Sequence, residues 1–253
     1  MSDTTRSARL LWPSLVWPSL FALVMFIVLI GLGTWQLERK SWKEGLIATL
    51  AERTSAEPML LPASERWSAL DPMDDEFRRV RLAATILSGR EALVYAVGSS
   101  VRTDITGPGY WVFALAELAG GAVVVVNRGF VPEGQQDPKT HLPPAGRVDL
   151  IGALRWPEPR GWFVPNDDPA RNLWFARDQL AMARAKGWGN VAPFYVELES
   201  STGPLPRAGR LTPTLRNEHL QYALTWYGLA VVLAVIFALW LRSRRRDGQG
   251  QVG

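Results

Sequence analysis

The chain has 253 residues, two histidines and no cysteine, so His141 and His219 are its only side chains suited both to bind a metal and to move a proton near neutral pH. Without thiols the sequence excludes disulfides, iron–sulfur clusters, thiolate zinc sites and Cys-based copper sites. His141 stands in Lys139-Thr140-His141-Leu142-Pro143-Pro144, which reads as a loop between strands and predicts a solvated imidazole. The acidic runs Asp74-Asp75-Glu76 and Asp167-Asp168 lie beside Pro72 and Pro169 without EF-hand spacing, and they read as solvated turns rather than cation sites. No G-x-S-x-G, G-x-x-x-x-G-K-[ST] or H-E-x-x-H pattern occurs, so nothing supports an enzyme.

His219 differs because it opens an apolar stretch. At 100° per residue its helical face also carries Tyr222, Ala223, Trp226, Ala230 and Ala234. Two readings stand side by side. Small residues on one face pack against a second helix, and an imidazole at an interface hydrogen-bonds headgroups or water. Alternatively, a neutral imidazole above an aromatic-walled slot ligates the iron of a membrane-soluble haem, with propionate cations drawn from Arg39, Lys40, Lys43, Arg210 and Arg216. In the first apolar segment Val24, Val28, Gly31, Trp35, Arg39 and Trp42 share a face that would match. Gly31 and Gly33 serve either helix contact or cofactor clearance.

The elements that must hold these residues are membrane helices. No charge occurs from Leu10 to Leu37 or from Leu220 to Leu241, and each stretch is long enough to cross a bilayer. The first continues too far, with no small-residue cleavage site, to be a secretory signal. Its repeated Trp-Pro-Ser-Leu places indoles at one interface, with Pro18 suited to a first helical turn. Arg242, Arg244, Arg245 and Arg246 follow the second stretch and predict a cytoplasmic C-terminus. Two crossings then place the N-terminus inside and the intervening residues outside. The layout expected is a cytoplasmic N-terminus (1–14), transmembrane helix (15–37), periplasmic α+β domain (38–218), second transmembrane helix (219–241) and basic cytoplasmic tail (242–253), in a bacterial inner membrane. The net charge of +4 is spread along the chain apart from that tail, so nucleic acid is not an expected partner and the lipid bilayer is.

Within the domain a helical start, Glu38 to Glu52, precedes runs with strand character: Arg79–Leu87, Ala92–Gly98, Tyr110–Glu117, Ala122–Phe130 and Val148–Trp156. Turn chemistry divides them at Ser88-Gly89-Arg90, Thr106-Gly107-Pro108-Gly109 and Gly120-Gly121. A helix over Ala176–Lys186 and a last strand over Phe194–Glu199 complete an antiparallel sheet or partial barrel with one or two helices.

Three motifs resemble the Surfeit locus protein 1 family. They are Leu32-Gly33-Thr34-Trp35-Gln36-Leu37-Glu38-Arg39-Lys40 with Trp42-Lys43, Asn127-Arg128-Gly129-Phe130-Val131-Pro132, and Asn217-Glu218-His219-Leu220-Gln221-Tyr222-Ala223-Leu224-Thr225-Trp226-Tyr227-Gly228-Leu229-Ala230. The resemblance implies an assembly factor for haem–copper cytochrome c oxidase that handles haem a during insertion into subunit I, with haem A synthase a further candidate partner. His219 matches the family's candidate axial ligand to haem iron, and Tyr222, Trp226, Trp35, Arg39, Lys40 and Arg216 are the expected surroundings. A scaffold that stabilises nascent subunit I without holding haem is the alternative. Asn127-Arg128-Gly129 reads either as a strand-to-turn exit or as a partner-binding surface.

Overall fold

A computed structural model describes residues 4–99, 102–212 and 217–249, with side chains described from 15 to 245 among them. The chain forms two compact units, Met1–Ile47 with Leu215–Gly253, and Ala48–Thr214.

The first unit is a helix pair. Helix α1 spans Thr4–Ser55 and α4 spans His219–Gln249. Each contains a stretch long and apolar enough to cross a membrane. Their apolar side chains face outward, Trp17, Phe21, Ile27, Val231 and Ile236 all being more than half exposed, as lipid-facing positions must be. Helix α1 begins earlier than expected, so Pro18 lies inside the helix and not in its first turn. It also continues through the anticipated Glu38–Glu52 helix without a break. Ala22 and Leu29 of α1 are buried, as are Ala223 and Ala230 of α4. Small residues there let the backbones approach closely.

The second unit is a closed barrel. Its elements are β1 (Met59–Leu60), α2 (Pro72–Asp75), β2 (Arg79–Val97), β3 (Pro108–Leu118), β4 (Val123–Pro132), β5 (Arg147–Arg155), β6 (Leu173–Trp174), α3 (Gln179–Lys186) and β7 (Tyr195–Leu198). The strand order is β1-β2-β3-β4-β7-β5, and β5 pairs back onto β2 to close the ring. The pairs β2–β3, β3–β4, β2–β5 and β5–β7 are antiparallel, whereas β1–β2, β2–β6 and β4–β7 run parallel. Val80, Leu82, Ala84, Ile86, Val124, Val126, Leu150 and Val196 fill the inside. A second core covers the outer face, where Trp111, Phe113, Tyr195 and Trp174 meet Met182 and Ala183 of α3. Burial on both faces explains why β3 and β4 read as continuous apolar runs instead of alternating.

The expected turn at Ser88-Gly89-Arg90 is not a turn. Residues 79–97 form one strand with a register shift between Ile86 and Glu91. Four residues of β2 there, 87–90, stand against one of β3, Leu115, and this excess of three exchanges the faces: Ile86 points into the inner core and Ala92, six positions on, into the outer one. Of Asp74-Asp75-Glu76, Asp74 is exposed as expected, but Asp75 and Glu76 are tied into the fold. Asp75 is buried, accepts the Asp71 backbone N–H at 3.0 Å and pairs with Arg78 at 2.9 Å. Glu76 accepts Arg155 Nε at 3.1 Å.

Candidate functional site

His219 is the first residue of α4, half-buried, with its backbone N–H directed at Asn217 Oδ1 at 3.4 Å. Its Nδ1 lies 2.6 Å from Gln36 Oε1 on α1. A carboxamide oxygen only accepts, so Nδ1 carries a proton and donates, and in the neutral imidazole the lone pair is then on Nε2. Among the described residues Nε2 makes no hydrogen bond. Asn217 Nδ2 reaches the Lys40 carbonyl at 3.4 Å, while the Lys40 ammonium pairs with Glu44 at 2.8 Å. The same flank of α4 carries Tyr222, 53% exposed, and Trp226, half-buried. The geometry supplies one oriented imidazole nitrogen beside an apolar aromatic flank.

The face expected on α1 is not the one that meets α4. A Cβ on Gly31 would find nothing within 4 Å, whereas one on Gly33 would come 2.7 Å from Tyr227 Cε1. Thr34 Oγ1 and the Tyr227 hydroxyl lie 3.1 Å apart. Gln36 and Lys40 continue this face, and Trp35, 52% exposed, lies off it. Arg39 stacks on Trp42 at 4.2 Å. The structure therefore joins His219 to Gln36 and Asn217 to the Lys40 carbonyl, with Tyr222 and Trp226 on the His219 flank of α4, while Trp35 lies off the α1 face that meets α4 and Arg39 packs on Trp42. Arg216 lies outside the described residues. Arg210 belongs to the barrel unit, where it donates to the Thr54 carbonyl at 2.9 Å. Gln36 is the residue sequence reasoning missed. A carboxamide in the last turn of an uncharged membrane stretch was its signal, because such groups seek a partner across the helix interface.

His141 is not the solvated imidazole expected. It is buried, with Nε2 3.3 Å from Glu91 Oε1 and Nδ1 3.1 Å from Thr140 Oγ1. Asp167 and Asp168 also have partners: Asp167 accepts the Phe175 N–H at 2.8 Å, and Asp168 caps the turn at Arg171. Among the described residues no three carboxylates or imidazoles cluster as a metal site.

In Asn127-Arg128-Gly129 the structural role is plain. Asn127 Oδ1 accepts the Gly129 N–H at 3.1 Å, and Gly129 adopts φ +121° where a Cβ would lie 2.4 Å from the Arg207 carbonyl carbon. Residues 207–208 cross the strand there, Phe130 and Arg207 exchanging backbone hydrogen bonds at 3.1 and 2.8 Å. Arg128 is 2% exposed, with Nε and Nη2 unpartnered. Burial pushes its guanidinium down from the usual arginine value, against the pull of Glu91.

Two apolar helices and a barrel domain in the connection between them make this a membrane protein of mixed α and β structure. The model of the SURF1 family matches residues 23–231, a span that contains all three motifs, and the chain belongs to that family. It is similar to Surfeit locus protein 1 of Rattus norvegicus, 37% identical over 239 residues that cover 86% of this chain and 73% of the relative. The Homo sapiens protein of that name is 36% identical over 246 residues, covering 90% and 78%. A SURF1-like protein of Monosiga brevicollis is 37% identical over 235 residues, covering 88% and 85%.

Proposed function

We propose that the chain is a non-enzymatic assembly factor for haem–copper cytochrome c oxidase, binding haem a through His219 and assisting its insertion into subunit I. Family membership supports the assembly role. The observation that carries the haem reading is the His219–Gln36 hydrogen bond at 2.6 Å. Histidines that bind metal typically commit their other ring N–H to an oxygen in this way, which fixes tautomer and orientation and raises ligand basicity. Such a nitrogen would ligate haem iron, and Tyr222 and Trp226 would offer apolar contact to a flat macrocycle. Haem a, when bound, supplies the redox-active iron centre that the oxidase requires. Lys40, whose carbonyl accepts from Asn217 Nδ2, would in this reading exchange Glu44 for a propionate carboxylate. Subunit I is the recipient and haem A synthase the candidate donor. The basic tail after α4 supports a bacterial inner-membrane orientation with both termini cytoplasmic and the barrel unit periplasmic.

The test is an optical spectrum of the protein purified from cells that make haem A. A stoichiometric Soret band is expected from the native chain. His219→Ala should lose it while still inserting, and Trp226→Ala should weaken it less, because the wall contact goes and the ligand stays. Full haem retention by His219→Ala sinks the ligand assignment and moves the haem-free scaffold for subunit I ahead.

A further inference from the structure

Over residues 79–85 of β2, the edge that β5 leaves free is covered by two strands that do not meet. β1 pairs with Val80 and Arg81, the next residue, Leu61, donating to the Arg81 carbonyl at 2.9 Å, and the pairing with β3 begins only at Ala84, opposite Leu118. Leu82 and Ala83 lie between these two strand ends and line a notch of about 420 Å³. Its walls are apolar and preformed. Leu61, Trp67 and Leu82 belong to the inner core, with Leu118 and Ala122 packed on it. Trp67 is fixed by the bond from its Nε1 to the Pro62 carbonyl at 2.9 Å and by the Phe194 ring, edge-on at 5.5 Å. A second depression of about 430 Å³ adjoins the notch, shares Arg81, Leu82 and Ala83 with it, and ends at Asp149 and Ile151.

The rim carries uncompensated positive charge. Arg81 and Arg147 both line the notch and both are exposed. Arg81 and Thr85 project from the same face of β2, and Arg147 is the cross-strand neighbour of Thr85, so the two guanidiniums stand on one side of the sheet. Elsewhere in this unit Arg78, Arg79, Arg102, Arg155, Arg177 and Arg210 pair with carboxylates. Among the described residues the Arg81 and Arg147 side chains make neither an ion pair nor a hydrogen bond. Glu65, the one carboxylate lining the notch, accepts Ser64 Oγ at 3.1 Å. Leu60, 68% exposed, and Ile151, 39% exposed, flank Arg81 in the second depression. An apolar floor beside two unpaired guanidiniums matches an occupant that supplies both an apolar side chain and a carboxylate.

We infer that this notch docks an extended segment of a partner protein in which a carboxylate side chain stands among apolar ones. One apolar side chain enters the notch, a neighbouring carboxylate meets Arg81 and Arg147, and the chain continues over the second depression, where Leu60 and Ile151 receive another apolar side chain. Two adjoining depressions along one strand suit an extended chain, whose alternate side chains lie on the same side. A small ligand suits them less, because both are open grooves and small-molecule sites enclose most of what they bind. Asp149 fixes the direction: it repels an acidic side chain over the second depression and so confines the carboxylate to the first. The inference uses the barrel unit alone and is independent of haem.

Site-specific photocross-linking of the full chain in its native membrane tests this. Benzoylphenylalanine replaces Ala63 or Ala119, exposed residues on opposite rims of the notch. It replaces Leu142 as a reference, 64% exposed and next to His141, which contacts Glu91 beyond the irregularity in β2. Positions 63 and 119 should give one protein adduct that position 142 does not, and the sequenced cross-linked segment should hold Asp or Glu among apolar residues. Arg81→Glu combined with Arg147→Glu should lower the adduct yield about tenfold or more, because attraction becomes repulsion. The unfolding midpoint should stay unchanged, since both side chains are exposed and unpaired. Arg81→Gln combined with Arg147→Gln should lose less, and changing the partner's acidic residue to Lys should restore the yield of the Glu variant, neither of which a loss of folding produces. No adduct, an adduct to lipid or to a second copy of this chain, a segment without an acidic residue, or a yield indifferent to the charge reversal overturns the inference.

Discussion

Replacing His141 with alanine should damage the barrel unit far more than its loop position suggests. The imidazole is buried and faces Glu91, itself 8% exposed, at 3.3 Å. Removing the imidazole leaves the buried Glu91 carboxylate without this hydrogen bond, which costs about 3 kcal/mol or more for a charged group. Arg128 and Lys186 compensate in part: both interact with Glu91 through space, and among the described residues neither donates a hydrogen bond to it. We take the low end, about 3 kcal/mol, which in a unit of this size corresponds to a fall of about 6–12 °C in the unfolding midpoint. Thermal unfolding of the full chain in detergent, followed by tryptophan emission, measures it. Replacing both partners, as Glu91→Ala with His141→Ala, should cost less than the sum of the single changes by about 1 kcal/mol or more. A single variant within about 0.5 kcal/mol of the native chain, or strict additivity, refutes the buried-pair argument. The result also governs the haem experiment, in which Leu142→Ala and not His141→Ala is the appropriate control.

Two glycine substitutions probe the packing. Gly33→Ala should weaken the α1–α4 pair by about 1–3 kcal/mol, since its methyl meets the Tyr227 ring at 2.7 Å, while Gly31→Ala, with open space around it, should be nearly neutral; engineered cross-linking between the helices reads the difference, and equal effects would refute the assigned face. Gly129→Ala combines φ +121° with a backbone contact at 2.4 Å and should destabilise the barrel unit by about 3 kcal/mol or more, visible as a lowered unfolding midpoint; an unchanged midpoint would mean the 207–208 crossing is not tight.

The apolar spans, the strand sequence from Tyr110 to Trp156 and the α3 region were legible because each is a local pattern. The rest depended on contacts that no local pattern carries. Glu91 and His141 are 50 positions apart, and Gln36 and His219 are 183 apart. The α1 face was misread for a different reason. Residues 15–37 are apolar all round, so helical periodicity does not single out one side, and only the position of Gln36 marks it. Ser88-Gly89-Arg90 read as a turn because a bulge and a turn use the same residue types. The parallel partnership of β4 with β7 was not visible because some sixty residues of other structure separate them.

The closing strand β7 has a consequence for how the protein is made. It is only four residues long, Tyr195–Leu198, and it alone joins β4 to β5. Until it is synthesised, the two strands it separates have open edges, and the inner faces of Val126 and Leu154 lack the Val196 side chain that packs between them. It emerges late, and His219, the first residue of α4, lies just 21 residues beyond Leu198. Barrel closure and synthesis of the second apolar helix are therefore nearly simultaneous events on the ribosome. A chain truncated before Tyr195 leaves an exposed, half-finished sheet attached to one hydrophobic helix, the kind of species that quality-control proteases and chaperones recognise.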